Sequence, residues 1–137
     1  MGPVGYDLHI ERRATRDVAQ REPISLSEWK AALLITPGVR PMEDDRVSAT
    51  NPMTYEVVTI GVGEGAAEVF LPDEGEWQYV FSWRRGSVIF SGRNVEVGDH
   101  SDPVWAAAVQ LATHLGAVIR GDEGEIYDLE TGQVVDG

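Results

Sequence analysis

This sequence predicts an α+β fold: a mainly antiparallel sheet with two helices packed on one face. Three observations predict it. Only two segments carry both a helical apolar period and helix-terminating residues. Strand-like segments outnumber them. The strands are separated by short runs of Gly, Pro, Asp and Glu, which make hairpins rather than the long crossovers that parallel strands need.

In chain order, Tyr6 to Glu11 alternates, with Tyr6, Leu8 and Ile10 on one side and Asp7, His9 and Glu11 on the other. That is the period of a half-buried strand. Arg12 to Glu22 reads as a polar connection. Ser25-Leu26-Ser27-Glu28 is a capping box, with Ile24 and Trp29 placed as a hydrophobic staple. A helix is expected from Leu26 to Leu34 or Ile35, with Leu26, Trp29, Ala32 and Leu33 facing inward and Pro37-Gly38 ending it. Pro41 to Thr54 is expected to be a loop. Tyr55 to Ile60 and Ala67 to Leu71 are strands, interrupted by Gly61-Val62-Gly63-Glu64-Gly65. Trp77 to Trp83 is a strand with an aromatic at every odd position, and Arg84-Arg85-Gly86 turns it into Val88-Ile89-Phe90. Asn94 to Val97 is expected to add a short edge piece. Asp102-Pro103 starts the second helix and Gly116 stops it, with Val104, Ala108, Leu111, Ala112 and Leu115 inward and Trp105 flanking them. Ala117 to Arg120 and Glu125 to Leu129 form a closing hairpin, followed by a short terminal strand near Val134. The whole is expected to be a single domain spanning residues 1–137.

Charge is distributed unevenly. Residues 1–42 hold 6 basic and 5 acidic side chains, whereas residues 43–137 hold 5 basic and 18 acidic, and the chain totals −12. Such a charge disfavours nucleic acid and anionic membranes, both of which are bound through Lys and Arg. It favours a positively charged protein. Cys is absent, which excludes disulfides, zinc–thiolate sites and Cys nucleophiles. The N-terminal residues lack the apolar stretch of a signal peptide. Val104 to Leu115 is too short to span a bilayer.

No catalytic set emerges. The glycine run departs from the dinucleotide fingerprint, because Ala66 holds the third glycine position and Pro72 arrives too soon for a helix. It reads as a turn. His9, His100 and His114 lack the spacing that puts two metal ligands on one helix face. The carboxylate groups Asp44/Asp45, Asp73/Glu74/Glu76 and Asp122/Glu123/Glu125 lie at turns, where solvent levels their acidities rather than separating them for acid–base work. The Trp77, Tyr79, Phe81, Trp83 stripe reads as a core face, or alternatively as an exposed apolar strip for a partner.

Tyr6-Asp7-Leu8-His9-Ile10, Pro23-Ile24-Ser25-Leu26-Ser27-Glu28-Trp29 and the segment ATHLGAVIRGDEGEIYD, Ala112 to Asp128, resemble a group of small bacterial proteins. Members of that group resemble immunity proteins carried beside secreted antibacterial toxins, including those of contact-dependent and type VI systems. The resemblance implies a cytoplasmic inhibitor without catalysis of its own, bound to a cognate toxin. Residues 36–75 contribute nothing to it.

The expected function is therefore an immunity protein that occludes the electropositive active region of a toxin, with no cofactor, metal, nucleic acid or membrane involved. Asp44, Asp45, Asp122, Glu123 and Glu125 are the expected steering charges, and Trp77, Trp83 and Tyr127 the expected anchors. Two alternatives remain at this point. One is a small enzyme or ligand-binding domain in which Asp7, His9, Asp99 and His100 share a pocket; the other is an acidic adaptor or structural protein.

Overall fold

A computed structural model describes residues 7–12, 23–42, 46–50, 53–55, 57–61, 65–92 and 95–136. Eight strands form one sheet: β1 (Asp7–Glu11), β2 (Val39–Pro41), β5 (Ala67–Leu71), β6 (Glu76–Arg84), β7 (Ser87–Ser91), β8 (Val118–Gly121), β9 (Ile126–Tyr127) and β10 (Val134–Asp136). Their order is β10-β9-β8-β1-β7-β6-β5-β2, and every neighbouring pair is antiparallel. A separate hairpin joins β3 (Arg46–Thr50) to β4 (Val57–Gly61). The helices are α1 (Leu26–Ile35) and α2 (Pro103–Leu115). The predicted α+β architecture is present.

Both helices share one core with the sheet. Leu8 and Ile10 of β1, Val88 and Phe90 of β7, Ile119 of β8, Phe81 of β6 and Val69 of β5 pack on Trp29 and Leu33 of α1 and on Trp105, Ala108, Leu111 and Ala112 of α2. Rings run edge to face from Trp29 to Phe81 (5.9 Å) and from Phe81 to Phe90 (5.1 Å), linking α1 to the centre of the sheet. Each such buried side chain contributes about 1.5–3 kcal/mol relative to exposure.

The caps form as expected. Ser25 Oγ accepts from Glu28 N (3.1 Å) while Ser25 N donates to Glu28 Oε1 (3.2 Å), and Ile24 and Trp29 are fully buried. Asp102 Oδ1 accepts from Val104 N (2.8 Å) and Trp105 N (3.1 Å), and Gly116 takes the left-handed conformation that ends α2. Arg12 ties the far ends together: Nε donates to Leu115 O (2.9 Å), Nη1 to Pro23 O (3.1 Å), and the guanidinium pairs with Glu28.

Three expectations are corrected. Pro41 to Thr54 is not all loop: Pro41 ends β2, which pairs with β5, and Arg46–Thr50 is a strand paired to β4. The strand is completed by Val57–Ile60, which supplies its hydrogen-bond ladder. Val95 to Val97 forms no edge strand; Glu96 N instead donates to Asp102 Oδ2 (3.0 Å), tying the segment to the start of α2. Trp105 does not flank the inner stripe of α2 but lies at its centre, fully buried, whereas Val104 is half-buried at its edge. No helix among the described residues is long and apolar enough to cross a membrane.

Candidate functional site

The antiparallel register decides where the carboxylates go. Asp7 lies opposite Ser91, and Leu8 lies opposite Gly121, so the start of β1, the end of β7 and the end of β8 share one end of the sheet. Leu71 lies opposite Glu76 and Arg84 opposite Ser87, which puts the β5–β6 turn at that same end and the β6–β7 turn at the other. α2 also begins there, because its last residue reaches Arg12 at the far end of β1. Three acidic segments thus converge: Asp73, Glu74 and Glu76; Glu96, Asp99 and Asp102; and Asp122, Glu123 and Glu125. Their described residues, 72–76, 95–102 and 121–125, include no Lys or Arg. The opposite end carries Arg12, Arg84 and Arg85 beside Glu11 and Glu28.

Within this acidic end, Asp122 is the best-organised carboxylate. Asp7 N donates to its Oδ2 (2.7 Å) and His9 Nε2 meets its Oδ1 (2.8 Å). The backbone hydrogen bond from Asp7, followed by the His9 contact, holds its carboxyl below the usual range, so it stays charged. Asp99 is lowered likewise by hydrogen bonds from the Ser101 side chain and backbone. Glu123 is exposed. Glu125 and Tyr127 behave differently. Tyr127 Oη donates to Glu125 Oε1 (2.8 Å), its ring meets Trp105 edge-on at 6.3 Å, and burial followed by that acceptor pushes the phenol up to about 12. Both are half-buried, and the hydroxyl is engaged within the fold.

The aromatic stripe of β6 divides. Between the β5 pairs Ala67–Phe81 and Glu68–Tyr79, Val80 is an extra residue: a β-bulge. Before it, Trp77 and Tyr79 turn to the face away from the helices; after it, Phe81 and Trp83 turn inward. Trp77 packs edge-on to Phe70 at 5.5 Å and beneath the Arg40 guanidinium at 4.2 Å, with Arg40 also paired to Glu68 (3.1 Å). Trp83 Nε1 donates to Ile24 O (2.8 Å), so this side chain fixes the approach to α1. Asp44 and Asp45 lie outside the described residues.

A cleft lies beside the bulge. β6 pairs with β7 through Ser82, Trp83 and Arg84, and Val80 and Ser91, two positions beyond the Ser82–Ile89 pair, both line a cavity. This cavity of about 600 Å³ has Leu71, Val80, Val95, Pro103 and Val104 among its apolar walls and Asp73, Glu74, Gln78, Tyr79, Ser91, Ser101 and Asp102 among its polar ones. Gln78 Nε2 donates to Glu74 Oε2 (2.7 Å) and Glu76 Oε1 (2.9 Å), fixing that carboxylate pair, and Tyr79 Oη bonds to Ser82 Oγ. Sequence reasoning missed this cleft, because a one-residue bulge leaves no compositional mark.

Asp7 and His9 do meet, but on Asp122; His100 Nε2 is bonded to Glu130 O (2.7 Å), and Asp99 to Ser101. None of Asp7, His9, Asp99 and His100 lines the cleft. Among the described residues no group of three or more His, Asp and Glu side chains could hold a metal ion.

No protein-family model, curated protein or solved structure matches this chain.

Proposed function

We propose that this protein is an immunity-type inhibitor: a cytoplasmic bacterial protein that binds a cognate antibacterial toxin and covers its electropositive active region. The observation that carries the reading is the convergence of three acidic segments, 72–76, 95–102 and 121–125, at one end of the sheet. A carboxylate field of one sign, displayed on turns held by a rigid sheet, accelerates and orients encounter with a basic surface. The local resemblance to immunity proteins supports the same reading. Inhibition needs no chemistry from the inhibitor, only complementarity and exclusion of substrate.

Within this reading the roles of the side chains differ. Asp122 and Glu123 supply exposed steering charge. Trp77, half-buried under Arg40, is the aromatic contact offered on the helix-free face. Trp83 and Tyr127 serve the fold through their bonds to Ile24 and Glu125.

The test is to produce the protein together with the product of the neighbouring gene, isolate the complex, and follow association by stopped flow across ionic strength. Association is expected to slow by about tenfold or more between low and physiological salt, as screening shortens the reach of the carboxylates to about 8 Å. An isolated pair that associates at a salt-independent rate, or no pair at all, contradicts the reading.

A further inference from the structure

The geometry points to an arginine side chain of a protein partner as the occupant of the cleft between the β5–β6 turn and the start of α2. This rests on the inhibitor reading above and names what that surface would grip.

The walls divide by height. Leu71, Val80 and Val104 are half-buried and packed against the core, forming an apolar floor. Asp73 and Glu74 stand exposed at the rim, and no described lining residue is basic. An aliphatic stem ending in a cation suits that order, with the stem on the valines and the charge at the carboxylates. The helix N-terminus does not turn the site toward anions. Pro103 has no N–H, and Val104 N and Trp105 N are already taken by Asp102, which adds its own negative charge. Gln78 holds Glu74 from below, so the acceptor is oriented before any ligand arrives. A guanidinium donates two parallel N–H bonds to a carboxylate and sheds water more readily than an ammonium, which selects arginine over lysine. The volume, about 600 Å³, leaves room for the residue and its backbone neighbours.

The test uses the full chain and small probes, independently of any toxin. Amide NMR shifts are followed on titration with acetyl-arginine-amide, its uncharged isostere acetyl-citrulline-amide, acetyl-lysine-amide and spermidine. The expected result is saturable millimolar binding of the arginine probe. Its shifts should be confined to residues 71–80, 91–92 and 95–104, with citrulline about tenfold or more weaker and lysine intermediate. The double variant Asp73→Asn/Glu74→Gln, on an exposed turn, should keep its melting temperature and lose about ten- to hundredfold in affinity for the arginine probe. Equal binding of arginine and citrulline overturns the proposal, as do shifts spread over every acidic turn or stronger cleft binding by spermidine. If the toxin complex forms but the double variant binds it unchanged, the cleft assignment fails while the inhibitor reading stands. If the arginine probe binds the cleft but no toxin complex exists, the inhibitor reading fails alone.

Discussion

Gly65 shows how a single residue sets the geometry near α1. Its φ is +82°, and a Cβ there would stand 2.8 Å from Trp83 Cβ and 2.9 Å from Leu26 Cδ1. Its carbonyl accepts from Trp29 Nε1 at 2.7 Å. Strain and overpacking act together, so Gly65→Ala is expected to cost about 2–3 kcal/mol in urea unfolding. In the sequence this glycine belongs to a run that reads as a turn; in the fold it also packs closely between two tryptophans. Glu28 gives a second residue-scale prediction. The hydrogen bond from Arg12, then those from Ser25, hold its carboxyl at about 2, below its ordinary 4.5. A group depressed in the folded state stabilises above its unfolded value, and that contribution is lost as pH falls toward the folded value. Stability should therefore decline between pH 4.5 and about 2, and Glu28→Gln should flatten that part of the profile, read by urea unfolding at each pH. Tyr127 acts in the opposite sense. Its phenol is pushed from 10 up to about 12, so its contribution is intact below 10 and fades as pH rises through that interval, which Tyr127→Phe should abolish.

At the scale of elements, caps and turns were legible in the sequence and pairing was not. Ser25-x-x-Glu28, Asp102-Pro103 and Gly116 each mark a helix end because the side chains that satisfy free backbone groups are local. Asp102→Ala should cost about 1–2 kcal/mol in thermal unfolding, since it leaves Val104 N, Trp105 N and Glu96 N without their acceptor. β3 was not legible, because its short Val47/Ala49 alternation sits between the charged Glu43-Asp44-Asp45 run and the turn-forming Asn51-Pro52, and its partner β4 lies across that connection. The β6 stripe was legible as a strand but not as to face. The bulge at Val80 adds one residue and reverses the alternation, so four aromatics at period two split into an outward pair and an inward pair. Deleting Val80 would make Tyr79 and Phe81 strand neighbours and so keep them on opposite faces, while taking one apolar wall from the cleft, and should weaken the response to the arginine probe in the same NMR titration.

Across the whole molecule, topology converts a scattered acidic composition into a polarised one. The carboxylates of residues 72–76, 95–102 and 121–125 are far apart in the chain, yet each follows a strand that runs toward the same end of the sheet. Counting antiparallel reversals from the sequence would have brought two of these groups together only if β1 were known to sit between β7 and β8, a long-range pairing that local pattern does not encode. Of the expected steering residues, Asp122 and Glu123 belong to this end and Glu125 is turned into it; the expected anchors Trp83 and Tyr127 are tied to the fold. The measurement that bears most directly on this account is hydrogen exchange of the protein alone and in the presence of the product of the neighbouring gene, the proposed toxin. The account predicts added protection in residues 72–80, 95–104 and 121–125. Protection centred instead on the opposite end, at residues 84–86 and the first turn of α1, would contradict it.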